Sequence, residues 1–140
     1  MPSITGQVGV ILTVRDVDRS AAWYAALLGM AVRYSHVADD GSMHYVCLDH
    51  PTAALDLCLV SHAAGPRDEF SEYRAGLDHL EFLVSSYEEL VAWASRLDQL
   101  GVAHSGVREL SYTRNSMVTF RDPDNIQLEF FWRAPTGSSE

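Results

Sequence analysis

The chain has 140 residues, a length that suits one domain or two small modules sharing a core. Hydrophobic residues make up 47% and charged residues 21%, and no apolar run approaches the roughly 20 residues that would cross a bilayer. Ten Lys and Arg against 19 Asp and Glu give a net charge of −9, which argues against a nucleic-acid partner because phosphates demand a basic face.

The opening Met1-Pro2-Ser3-Ile4-Thr5-Gly6-Gln7 has neither a basic n-region nor an apolar h-region, so a signal peptide is not expected and a cytoplasmic location is. Cys47 and Cys58 have no metal-ligand spacing; they read as two small buried hydrophobes in a reducing compartment and not as a disulfide.

An internal repeat organises the elements. Gly9–Leu27 aligns with His79–Leu97 at an offset of 70, placing Val14 on Val84, Trp23 on Trp93 and Leu27 on Leu97. Leu28-Gly29-Met30 then matches Leu100-Gly101-Val102, and Leu55-Asp56-Leu57 matches Leu128-Glu129-Phe130. The first copy (7–61) begins with an alternating strand from Gln7 to Arg15. A helix capped by Asp16 or Asp18 follows, ending at Leu28 before Gly29. Strands are predicted over 30–38, 43–49 and 53–61, separated by Asp39-Asp40-Gly41 and Asp49-His50-Pro51 turns. A linker covers 62–76. The second copy (77–133) has a strand over 77–85, a capping box Ser86-x-x-Glu89 opening a helix to Leu100, and strands near 102–109, 117–121 and 126–132. Residues 134–140 read as a tail. The fold class is α+β: two β-α-β-β-β modules forming a curved mixed sheet around a cleft.

Strand alternation assigns faces. A covering helix takes Val8, Val10, Leu12 and Val14 from the first strand and Leu80, Phe82 and Val84 from the fifth. The opposite face then receives Gly9, Ile11 and Thr13, and His79, Glu81 and Leu83. By the same count Asp56 and Cys58 leave the helix side of the fourth strand, and Gln127, Glu129 and Phe131 leave that of the last. One surface would therefore collect Asp56, His79 and Glu129, a donor set for Mn, Fe, Ni or Zn, with Gly9 at the fourth equivalent position.

These residues resemble the vicinal oxygen chelate superfamily of glyoxalases, bleomycin-binding proteins and extradiol dioxygenases. The likeness is carried by Val14-Arg15-Asp16-Val17-Asp18-Arg19-Ser20 with Trp23-Tyr24, by Gly76-Leu77-Asp78-His79-Leu80-Glu81-Phe82, and by Phe120-Arg121-Asp122-Pro123-Asp124-Asn125-Ile126-Gln127-Leu128-Glu129-Phe130. The resemblance implies metal ligands at His79 and Glu129, a first-module acid at Asp56, and a first-module His or Gln where this chain has Gly9. Gln7, two residues earlier on the same face, is the alternative donor. A homodimer is also implied.

Two functional readings follow. The first is a binder of an aromatic or cationic metabolite or antibiotic, without a complete metal site, lined by Tyr34, Tyr45, Tyr112, Phe131 and Arg114. The alternative is a metal-dependent lyase, isomerase or dioxygenase in which His79 and Glu129 are catalytic and hold one weakly bound divalent ion. A metal-free enzyme using His79 or Glu129 as acid or base is a third. In each reading the partner is a small molecule, with no membrane and no nucleic acid.

Overall fold

The computed structural model describes residues 1–6 and 8–136. The chain divides into two units, the first ending at Asp68 and the second beginning at Glu69. Gln7 and 137–140, part of the expected first strand and tail, lie outside the described residues.

The first unit contains β1 (Val8–Thr13), α1 (Val17–Leu28), β2 (Ala31–Val37), β3 (Met43–Asp49) and β4 (Leu55–His62), with sheet order β1-β4-β3-β2. β1 runs parallel to β4, and the other two pairs are antiparallel. Asp16 caps α1 by accepting a hydrogen bond from the Arg19 N–H at 3.1 Å. Gly29 ends the helix at φ 68°, a left-handed position that a side chain would strain. Val17, Ala21, Tyr24, Leu27 and Leu28 make its buried stripe, and Leu48, Leu57 and Leu59 of the sheet complete the core.

The second unit repeats this plan with β5 (Leu80–Val84), α2 (Tyr87–Gln99), β6 (Arg108–Glu109), β7 (Ser116–Arg121) and β8 (Gln127–Trp132), ordered β5-β8-β7-β6. Ser86 Oγ accepts from the Glu89 N–H at 3.1 Å, the N-terminal half of the expected capping box. Leu90 and Leu97 of α2 are buried, and Trp93 stacks on Phe130 with ring centroids 4.3 Å apart. Phe120 stacks on the same ring at 5.1 Å.

Two expectations change. The strand predicted over 102–109 is only two residues long: His104 makes one isolated bridge to Phe120, and Gly106, at φ 73°, turns the chain before pairing resumes. Cys47 and Cys58 are not reduced thiols; they form a disulfide. They face each other in the β3/β4 register, Cα atoms 4.1 Å apart, because the 11-residue separation spans one hairpin. The cysteines therefore give no argument for a reducing compartment. Among the described residues no helix is long and apolar enough to cross a membrane.

Candidate functional site

The turn that delivers β8 is built by its own side chains. Asp122 accepts hydrogen bonds at 2.8 Å from the backbone N–H groups of both Asp124 and Ile126. Asn125 takes the left-handed φ of 66° that Asn tolerates. Its side-chain amide donates to the Phe70 carbonyl at 3.1 Å, while the Phe70 N–H donates to the Asp124 carbonyl. Arg121 then clasps Glu72 through both terminal nitrogens, at 3.0 and 2.7 Å. Phe70 and Glu72, in the segment that leads toward β5, are thus anchored to the β7–β8 turn.

Alternation on β8 sends Leu128 and Phe130 toward α2 and Glu129 to the opposite face, where it is only 6% exposed. β5 lies parallel to β8 with Glu81 opposite Glu129, and His79 is two residues earlier on the same face. The two predicted residues His79 and Glu129 are brought together, with His79 Nε2 3.8 Å from Glu129 Oε2. Donor atoms of His79, Glu81 and Glu129 all lie within 4.8 Å of one another.

Asp78 sets the histidine's orientation. Its Oδ1 is 2.6 Å from His79 Nδ1, and since an ionised carboxylate only accepts, Nδ1 carries the proton. In the neutral ring this leaves the Nε2 lone pair on the side of Glu129. Metal-ligating histidines almost always have their second nitrogen held in this way, by a carboxylate, a backbone carbonyl or water. Burial is the main force raising the Glu129 carboxyl above its ordinary value; the facing His79 pulls it down, and neighbouring Glu81 pushes it up. A cation beside the three side chains would relieve that strain on the charged form.

The first unit has a different surface at the corresponding place. In the β1/β4 register Gly9 faces Asp56 and Ile11 faces Cys58. With the helix-anchored offset of 70, Gly9 corresponds to His79 and Ile11 to Glu81. The counterpart of Glu129 is therefore Cys58, not Asp56, which takes the place of Gln127. The expected equivalence of Asp56 with Glu129 matched the two Leu-acid-Leu/Phe stretches and missed a two-residue shift in strand pairing. Asp56 lies 3.5 Å from Arg33, which also approaches Asp49 at 3.7 Å.

Where the second unit gathers donors, the first has an open, largely apolar cavity of about 480 Å³. Cys47, Cys58 and Ile11 line it, along with the predicted Tyr34 and Tyr45. The two tyrosine rings meet edge to face at 5.5 Å, and the Tyr34 hydroxyl raises the Tyr45 phenol above its ordinary value. Tyr112 and Arg114 are in the second unit, in the 110–115 turn, Tyr112 being 80% exposed. Phe131 shares the face of Glu129 two residues further along β8 and is 9% exposed.

Sequence reasoning placed Glu81 on the right face without counting it as a donor, and did not use Asp78. The signal was Asp78-His79-x-Glu81: an orienting carboxylate next to the imidazole, and a second acid one pleat on.

Comparison with known proteins agrees with the architecture. The family model of the Glyoxalase/Bleomycin resistance protein/Dioxygenase superfamily matches residues 6–130. A glyoxylase/bleomycin resistance protein/dioxygenase domain from Frankia sp. EAN1pec is 35% identical, with 94% of this chain and 100% of that one covered and a TM-score of 0.81. A glyoxalase family protein from Enterococcus faecalis shares the fold at 22% identity, with 91% and 98% covered and a TM-score of 0.73. So does the fosfomycin resistance protein FosX from Listeria monocytogenes, solved with Mn(II) and sulfate, at 21% identity, 95% and 96% coverage and a TM-score of 0.69. No curated protein matches. On the family match and the 35% identity together, this chain belongs to the Glyoxalase/Bleomycin resistance protein/Dioxygenase superfamily.

Proposed function

We propose that this protein acts on a small oxygen-bearing molecule through a divalent ion held by the second unit, with His79 and Glu129 as the ligands. The observation that carries this reading is the buried Glu129 carboxylate beside an imidazole whose other nitrogen is already fixed by Asp78. The donor chemistry fits: one nitrogen and carboxylate oxygens suit Mn, Fe, Ni or Zn. With bonds of roughly 2.0–2.2 Å, two donors on one ion lie at most about 4.4 Å apart, so the cluster needs only small side-chain rotation to close. A bound ion would supply Lewis-acid polarisation of a substrate oxygen or stabilise a developing oxyanion.

The protein's own contribution is to hold the donors and to exclude water from one of them. Asp78 keeps the His79 proton on Nδ1, and the β8 strand keeps Glu129 out of bulk solvent. Reaction types within reach are lyase, isomerase or ring-cleaving dioxygenase chemistry; that FosX, similar in fold, was solved with Mn(II) supports the metal reading.

A second reading, metal-free capture of an aromatic or cationic compound, is favoured by the first unit's cavity with Tyr34 and Tyr45 at its wall.

The test strips the protein with chelator and reconstitutes it separately with Mn(II), Fe(II), Ni(II) and Zn(II), reading metal per chain by elemental mass spectrometry. About one equivalent in the native chain and none in His79→Ala supports the metal reading. No retained metal, combined with a raised melting temperature on adding an aromatic ligand, supports capture instead.

A further inference from the structure

We infer that Glu81 is the third protein ligand of this ion, so that His79, Glu81 and Glu129 complete the site within the second unit. The inference rests on the metal reading above and names the residue that replaces a missing donor. Position 9, where the family resemblance calls for a His or Gln, is glycine. A Cβ added there would meet nothing within 4 Å, so the backbone leaves room for a side chain that the sequence does not supply.

The first unit offers no substitute at the corresponding positions. Ile11 stands where the second unit has Glu81, and Cys58, where it has Glu129, is tied to Cys47 in a disulfide. A disulfide sulfur has no thiolate to give a metal. The second unit, by contrast, carries one donor more than a His–Glu pair. Glu81 stands directly across from Glu129 in the parallel register and on the same face as His79. Its carboxylate belongs to the group of donor atoms that lie within 4.8 Å of one another.

Geometry also assigns the three different duties. Glu129 is buried and fixed by its strand, His79 is oriented by Asp78, and Glu81 offers its carboxylate beside them from the solvent-exposed side. Three ligands from two adjacent strands would occupy one side of the ion, leaving the opposite side for substrate oxygens.

The full-length protein, stripped of metal, is titrated with Co(II) and Mn(II), following the visible d–d bands of Co(II) and the loss of free Mn(II) signal by electron paramagnetic resonance. Circular dichroism checks that each variant is folded. Glu81→Gln is expected to weaken Mn(II) affinity at least tenfold and to change the Co(II) band envelope, while Glu81→Asp retains part of the affinity. Glu81→Gln binding like the native chain, with binding lost in His79→Ala, overturns the role of Glu81 and leaves the His79–Glu129 reading standing. A native chain that binds neither ion overturns both.

Discussion

Phe130 couples the second unit's helix to the strand that presents Glu129, and its packing can be tested by a double-mutant cycle. The ring is 1% exposed and lies 4.3 Å from Trp93, with the planes inclined by 15°. Truncating a buried aromatic to alanine costs roughly 3–5 kcal/mol, a large part of the 5–15 kcal/mol that holds a small domain together. Leucine keeps much of the apolar volume, so Phe130→Leu and Trp93→Leu should each cost about 1–2 kcal/mol. Stacked pairs contribute about 0.5–1.5 kcal/mol beyond buried area, so the double variant should be less damaged than the sum of the singles by about 1 kcal/mol. Urea unfolding followed by circular dichroism measures all four corners. Additivity to within about 0.3 kcal/mol would refute the stack.

Other outcomes follow from single sites. Arg121 holds the Glu72 carboxyl down to about 2. A carboxyl depressed in the folded state stabilises it above the unfolded value of 4.5, and that contribution is lost as pH falls from there toward 2; Glu72→Gln should flatten the acid limb of a melting-temperature–pH profile. Ser116 is 1% exposed and its hydroxyl has no hydrogen-bond partner, so Ser116→Ala should raise stability by about 1 kcal/mol in thermal unfolding; a loss would mean the hydroxyl is satisfied in solution. Replacing both Cys47 and Cys58 by Ser opens a loop of 11-residue separation and should cost about 3 kcal/mol, while alkylation of the native chain under denaturing, non-reducing conditions should label no thiol.

Much of the fold was legible because its signals are local. Asp16 and Ser86 as caps, Gly29 as a stop and the alternation of Leu128, Glu129 and Phe130 depend on chemistry within a few residues. The repeat doubled each of these signals. What failed was non-local. The Cys47–Cys58 bond depends on β3/β4 register, and spacing alone did not reveal it. The match of Asp56 to Glu129 followed similar letters, whereas parallel pairing with β1 puts Cys58 at that place. Tyr34 and Tyr45 meet because they sit on adjacent strands; Tyr112 and Arg114, grouped with them by side-chain type alone, lie in the 110–115 turn of the second unit.

The most direct measurement of the metal account is anomalous diffraction from crystals of the full chain grown with Mn(II). The account predicts one strong peak within about 2.2 Å of His79 Nε2 and of carboxylate oxygens from Glu129 and Glu81. Saturating Mn(II) with no peak beside His79, or a peak beside Asp56 in its place, would contradict it.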